Sequence, residues 1–142
     1  MEKVLVTPYG ASNIAAICDV DWNRATQAFE LFPNAKKFKD YRNLLDVMKD
    51  IDAITVSTPD HTHAVIALAG MQLNKHVYVQ KPLTHNIYEA RKLTEAANKY
   101  KIVSQMGNQG ASGKGVQTMI DWFDSGMIGT VSQVHVWTNR PV

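Results

Sequence analysis

The chain has 142 residues, of which 45% are hydrophobic and 20% charged, a composition typical of a folded globular domain. Its formal net charge of +2 gives no indication of nucleic-acid or membrane partners, and no apolar stretch approaches the roughly 20 residues of a membrane span. The single cysteine, Cys18, excludes an internal disulfide framework, and its apolar surroundings predict a small core residue.

Apolar runs alternate with helical patterns from residue 14 onward. The pattern predicts strands at 14–20, 53–57, around Val77 and at 102–106, and helices at 22–32, 41–48, 62–73, 87–100 and 116–124. Asp21, Asp40 and Asn86 stand before three of these helices as N-caps. The basic run 36–39 is interpreted as a solvated turn. Because strands that alternate with helices indicate βαβ units, the expected fold is α/β, with a Rossmann-like, doubly wound parallel sheet.

The beginning of the chain departs from a complete dinucleotide-binding fold. Lys3–Val6 is compatible with a strand, but only seven residues separate it from Ile14, whereas a parallel crossover needs at least about 10–12. Gly10 is the only upstream glycine, so the first strand and glycine-rich loop are predicted to be missing. We expect Lys3–Val6 either to fill part of the vacated central position or to leave a split sheet.

Three segments are expected along the chain. Residues 1–13 are an atypical N-terminal segment, 14–128 a nucleotide-binding domain, and 129–142 the start of a second, substrate domain. The last boundary depends on Val131–Thr138, where alternation with a period of two predicts a strand with one covered face, the first strand of a second α/β domain.

Polar residues follow several predicted strands, at the sheet edge where ligands bind in open α/β folds. Asp19 ends the first of these strands. Its carboxylate is predicted to accept the ribose hydroxyls of NAD, which disfavours NADP because a 2′-phosphate would be repelled. The alternative role, a helix cap, is already filled by Asp21.

The loop 57–63 and the segment 105–110 follow two further strands. The first is expected to line a cofactor crevice, although Asp60 or Thr62 would also serve as ordinary caps. Its two histidines, His61 and His63, do not make a metal site without a third ligand. In 105–110, the amides would hold a carboxamide or hydroxyl, or else the glycines simply turn the chain.

Lys81 stands between a strand and Pro82, which cannot continue the strand. At that position its amine would bind a substrate oxygen, orient a ribose or help to move a proton. The alternative is a surface lysine that extends from a strand end into solvent.

Four segments, I-C-D-V-D, S-T-P-D-H-T-H, H-V-Y-V-Q-K-P-L and G-T-V-S-Q-V-H-V-W, together resemble the glucose–fructose oxidoreductase/inositol dehydrogenase (Gfo/Idh/MocA) family. The resemblance covers 14–142 and implies a Rossmann domain that binds NAD(P), followed by a larger α/β domain. Lys81 matches the lysine of the family's Glu-Lys-Pro motif, a catalytic position, with Gln80 in place of the glutamate. The cofactor-binding positions that the resemblance implies are Asp19, Thr58, Pro59, Asp60, His63, Lys81, Pro82, Asn108 and Gln109.

The resemblance implies an NAD(P)-dependent oxidoreductase that transfers hydride from a sugar or polyol hydroxyl to the nicotinamide, with NAD favoured over NADP. The alternatives are an NAD-dependent glycoside hydrolase of the same fold and a truncated, non-catalytic nucleotide-binding remnant. The chain is expected to be truncated at both ends and inactive alone, and the intact enzyme to be a homo-oligomer. A cytoplasmic location is expected, or a periplasmic one if a signal preceded Met1.

Overall fold

The computed structural model describes residues 4–7 and 13–138. The six strands are β1 (Val4–Thr7), β2 (Ala16–Cys18), β3 (Lys36–Phe38), β4 (Ala53–Val56), β5 (His76–Gln80) and β6 (Ser104–Gly107). The five helices are α1 (Trp22–Leu31), α2 (Tyr41–Val47), α3 (His63–Gln72), α4 (Ile87–Tyr100) and α5 (Lys114–Asp124). Short 3₁₀ turns at Asp60–Thr62 and Gln109–Ser112 precede α3 and α5. None of the helices in the described part of the chain is long and apolar enough to cross a membrane.

The three predicted N-caps are confirmed. Each side chain accepts a hydrogen bond from a backbone N–H of the first helical turn: Asp21 from Asn23, Asp40 from Arg42, and Asn86 from Glu89. Glu89 reinforces the start of α4, because its Oε2 accepts a hydrogen bond of 2.8 Å from the backbone N–H of His85. These caps satisfy N–H groups that have no partner within the helix, which fixes where each helix begins.

The strands form one sheet in the order β3-β2-β1-β4-β5-β6. The pairs β2–β3, β4–β5 and β5–β6 are parallel, as the alternation of strands and helices predicts. β1 fills the central position but runs antiparallel to both neighbours, with Val4 opposite Val56 and Val6 opposite Ala16. The predicted α/β, Rossmann-like class is confirmed, and the first of the two expectations for the N-terminal segment is met, because β1 fills the central position. Its antiparallel direction is the departure from the parallel arrangement of the other pairs. The short link between β1 and β2 explains the reversal, because it cannot supply a parallel crossover.

β3 corrects the interpretation of 36–39 as a solvated turn. Lys36, Lys37 and Phe38 pair in parallel with Ala16, Ile17 and Cys18 of β2. The two lysine side chains are exposed, and β3 is an edge strand. Charged side chains are common on such strands, because they oppose pairing with other chains.

Apolar side chains pack against both faces of the sheet. Ile17 packs with Ala28 of α1 and with Ala35. Its strand neighbours Ala16 and Cys18 belong to a larger cluster on the opposite face, because successive side chains of a strand alternate in direction. That larger cluster includes Leu44, Ile54, Val56, Met71 and Val79, all nearly or fully buried. Both faces of the sheet are thus covered at β2, whereas Tyr78 of β5 and its neighbour Gln105 of β6 are exposed on one face.

The chain divides into two compact units, 1–107 and 108–142. In the second unit, residues 131–138 have no regular secondary structure, so the strand predicted at Val131–Thr138 is not formed. A strand is held by hydrogen bonds to a neighbour, and no described segment pairs with these residues. The predicted domain boundary at 128/129 remains a prediction, and the observed division follows Gly107.

Candidate functional site

Three of the predicted site residues follow strands that end at the same edge of the sheet. Asp19 follows β2 directly, Thr58 lies two residues after β4, and Lys81 follows β5 directly. Since β1 is antiparallel to both β2 and β4, those two strands run in the same direction and their carboxyl ends coincide. The fold therefore brings these residues to the edge where open α/β sheets bind ligands.

A cavity of about 570 Å³ opens at this edge, a size within the range of small-molecule sites. It is lined by the ends of β2 and β3, the start of α2 and the loop between β4 and α3. Asp19, Thr58 and Pro59 are the predicted cofactor-binding residues that line it, and Val65 and Ile66 contribute an apolar wall. A ligand with a flat apolar portion and a hydroxylated portion would match these walls.

Asp19 is half-buried and forms part of the lining of the cavity. Its Oδ1 accepts a hydrogen bond of 2.9 Å from the backbone N–H of Asp21. Its own N–H donates to the carbonyl oxygen of Phe38 at 3.1 Å, which ties the end of β2 to β3. Oδ2 takes no hydrogen bond from the described residues, so one carboxylate oxygen is available to accept hydrogen bonds from ligand hydroxyls.

Charged residues that the sequence did not predict as site residues also line the cavity. They are Arg24 on α1 and Lys39, Asp40 and Arg42 around the start of α2. Arg42 donates hydrogen bonds to the Asp40 carboxylate, and these bonds hold the pKa of that carboxyl below its usual value. Recognition of β3 as a strand parallel to β2 would have placed 39–42 at the same edge as Asp19.

His63 is completely buried at the start of α3. Its Nδ1 lies 2.6 Å from the carbonyl oxygen of Pro82, and its Nε2 lies 2.8 Å from that of Thr58. The ring therefore joins the loop after β4 to the loop after β5. Direct contact with a cofactor, which the resemblance implied, would require the ring to leave both carbonyls, and neither nitrogen is available to a metal. We expect His63 to hold the two loops in place.

Lys81, Pro82 and Asp60 are exposed and lie outside the lining of the cavity. β5 ends at Gln80, as predicted, and the Lys81–Pro82 peptide bond is cis. A Cβ atom on Gly107 of β6 would overlap Oε1 of Gln80. The glycine therefore leaves room for the side chain of Gln80, the residue before Lys81. Lys81 thus lies at the same edge of the sheet as the cavity but after β5, and its catalytic role remains a prediction.

Cys18 lines the same cavity yet is only 5% exposed. Burial raises the pKa of its thiol to about 12, with smaller contributions from the negative charges of Asp40 and Asp19. A thiol in this state is not ionised near neutral pH, and the thiolate is the reactive form of cysteine. Cys18 therefore acts as a small apolar wall, in agreement with the sequence.

Asn108 and Gln109 belong to the second unit. Asn108 precedes the 3₁₀ turn that Gln109 begins, and both side chains are exposed. Their predicted place beside a nicotinamide remains a prediction.

The sheet is predominantly parallel and packs against helices, and an acidic residue follows β2 at the ligand-binding edge. These features define a nucleotide-binding domain of the Rossmann type. Comparison with known proteins agrees. Residues 3–108 match the oxidoreductase family described by its NAD-binding Rossmann fold. The chain belongs to this family, Gfo/Idh/MocA, as its sequence motifs predict.

Among curated relatives, the inositol 2-dehydrogenase of Salmonella typhimurium is 31% identical over 124 residues, which are 86% of this chain and 37% of the relative. The chain thus spans little more than a third of that protein. Among solved structures, myo-inositol 2-dehydrogenase from Lactobacillus plantarum gives a TM-score of 0.75 at 21% identity, over 89% of this chain and 38% of that one. A 3-ketoreductase from Actinomadura kijaniata, in complex with TDP-benzene and NADP, gives 0.69 at 26% identity, over 80% and 35%.

Proposed function

We propose that this chain binds NAD in the cavity at the end of β2 and forms the cofactor-binding part of a dehydrogenase that acts on a sugar or polyol. The observation that carries the proposal is the position of Asp19. In a chain of this family, a half-buried carboxylate with one unengaged oxygen lines a cavity at the ligand-binding edge. Carboxylates in this position of Rossmann folds accept hydrogen bonds from the adenosine ribose.

The residues present fit the adenosine half of the cofactor. Asp19 would accept the ribose hydroxyls, and Pro59 and Ile66 would pack against the base. The fit differs at the centre of the sheet, where this edge carries the amino end of β1. No described helix lies between β1 and β2 in the chain, whereas in Rossmann folds the helix that follows the first strand holds the pyrophosphate at its N-terminus. We infer that the adenosine half supplies most of the affinity.

Lys81 is the residue to which we assign a catalytic role in the dehydrogenase. It is exposed at the end of β5, and a lysine amine presents up to three donors to a substrate oxygen. It would bind the substrate hydroxyl and assist the removal of its proton. The nicotinamide, when bound, supplies the acceptor for the hydride that leaves the carbon bearing this hydroxyl.

A polyol is the substrate class that the relatives favour, because the one from Salmonella typhimurium is an inositol 2-dehydrogenase. Since this chain spans 37% of that relative, we assign the reaction to a protein of the relative's length. The chain by itself is suited to a test of cofactor binding, and we propose that it binds without turnover.

Titration of the chain with NADH, followed by nucleotide fluorescence, tests the proposal. We expect saturable binding, and we expect Asp19→Ala to weaken it about tenfold or more, because a hydrogen bond to a charged group contributes about 1.5–3 kcal/mol. Asp50→Asn is the matched control, since Asp50 is exposed and precedes β4 at the opposite edge. Absence of binding at millimolar NADH, or equal affinity of wild type and Asp19→Ala, would contradict the proposal.

A further inference from the structure

The cavity lining carries equal numbers of acidic and basic side chains. The acidic ones are Asp19, Asp21 and Asp40, and the basic ones are Arg24, Lys39 and Arg42. Each basic group has a contact of its own within the chain. Nε of Arg24 lies 3.5 Å from Oδ2 of Asp21, and Nζ of Lys39 lies 5.2 Å from the centre of the Trp22 ring.

Arg42 is held more firmly than the other two. Its Nε donates to Oδ1 and Oδ2 of Asp40 at 2.9 and 3.2 Å, and its Nη2 donates to Oδ2 at 2.8 Å. Oδ1 of Asp40 also accepts the backbone N–H of Arg42 at 2.9 Å. One carboxylate thus caps α2 and binds the guanidinium through two of its nitrogens, the geometry in which such pairs are strongest.

Arginine is the side chain best suited to bind a phosphate group through two donors at once. A 2′-phosphate on the adenosine ribose would add a charge of about −1.5 to −2 to a cavity that already contains the Asp19 carboxylate. Arg42 keeps N–H donors that Asp40 does not occupy, but the Asp40 carboxylate lies within 3.2 Å of the guanidinium nitrogens and would repel a second anion bound beside it.

We propose that Asp40 is a specificity-determining residue, which disfavours nucleotides with a 2′-phosphate because its carboxylate neutralises Arg42 and repels a second anion beside it. This inference rests on the proposed function, since it concerns the nucleotide that the cavity accepts. It adds a second determinant to Asp19: Asp19 would receive the ribose hydroxyls, and Asp40 would oppose the binding of a 2′-phosphate to Arg42.

Asp40→Asn separates the two roles of this carboxylate. Asparagine is as good an N-cap as aspartate, so α2 keeps its cap while the charge that binds the guanidinium is lost. Asp46→Asn is the matched control, because Asp46 lies on the same helix and pairs with Lys49 in an exposed salt bridge outside the cavity lining.

The test measures the dissociation constants of 5′-AMP and 2′,5′-ADP, which differ by one 2′-phosphate, for each variant by calorimetry. In Asp40→Asn we expect 2′,5′-ADP to bind about tenfold more tightly than to wild type, because the charged hydrogen bonds of Arg42 to the phosphate are no longer opposed by a carboxylate. Any change in the binding of 5′-AMP should be smaller than the change for 2′,5′-ADP, because 5′-AMP lacks the 2′-phosphate. The double variant Asp40→Asn/Arg42→Gln should lose the gain, and Asp46→Asn should show none.

The outcomes distinguish this inference from the proposed function. If 5′-AMP binds but the ratio of the two constants is the same in wild type and Asp40→Asn, the specificity role is overturned and the cofactor site stands. A gain that persists in the double variant also overturns it, since another cation would then hold the phosphate. If neither nucleotide binds any variant, the proposed function fails and this inference fails with it.

Discussion

Replacement of His63 by alanine tests how the two loops at the ligand-binding edge are held. The buried ring faces the carbonyl oxygens of Thr58 and Pro82 at 2.8 and 2.6 Å. A neutral ring donates to one of them and a protonated ring to both. His63→Ala leaves these carbonyls without that donor, at about 1–3 kcal/mol for each one that stays unsatisfied, and it removes the packing of a fully buried ring. We expect a loss of about 2–5 kcal/mol in the free energy of unfolding.

Urea denaturation followed by circular dichroism measures that loss. His61→Ala is the matched control, because His61 lies two residues earlier and its side chain is exposed; it should change stability by less than about 0.5 kcal/mol. His63→Gln, which keeps a side-chain donor, should fall between the two. Equal stability of the His63→Ala and His61→Ala variants would refute the reasoning, since the buried ring would then contribute nothing that an exposed one does not.

Four further predictions concern Cys18, Asp40 and Gly70. Because burial raises the pKa of Cys18 to about 12, its thiol should react with Ellman's reagent at pH 8 at least about 100-fold more slowly in the folded protein than in urea; rapid reaction of the folded protein would contradict the burial. The same shift means that, as the pH rises, the thiol ionises in the unfolded protein before it ionises in the folded one. Ionisation of Cys18 should therefore reduce the free energy of unfolding as the pH rises above 9.0. In denaturation measured at several pH values, Cys18→Ala should remove this loss. In NMR titration, the pKa of the Asp40 carboxyl should lie below the usual range of an aspartate because of its hydrogen bonds to Arg42, and Arg42→Gln should raise it; an unchanged pKa would show that the pair is not formed in solution. Gly70→Ala should cost about 1–3 kcal/mol, because its Cβ would overlap Ile54, whereas Gly115→Ala meets nothing within 4 Å and should be neutral or stabilising in denaturation curves.

The elements that the sequence predicts well are those with both a cap and an apolar face. Asp21, Asp40 and Asn86 each mark the start of a helix in the structure, because capping depends only on residues a few positions away. The edge position of Asp19 and Lys81 was predictable for a related reason. A residue that follows a strand in a parallel sheet must lie at the carboxyl edge, whichever neighbours the strand has.

Features that depend on distant partners were not predictable in this way. β3 contains two exposed lysines, and its strand character comes from pairing with β2 rather than from its own side chains. Residues 131–138 show the reverse case, since their alternation is typical of a strand but no described segment pairs with them. The pair of Asp40 and Arg42 was missed because the cavity that they line exists only once β3 is in the sheet.

The sheet is continuous only because β1 connects its two parts. In the strand order, β3 and β2 lie on one side of β1, and β4, β5 and β6 lie on the other. The pairing of β1 with β2 joins residues close in sequence, such as Val6 and Ala16, whereas its pairing with β4 joins Val4 to Val56. The first contact closes a short loop and the second a long one, and short loops close at a lower cost in entropy. During folding, β1 and β2 should therefore form a hairpin before that hairpin docks on β4 as the sheet is completed.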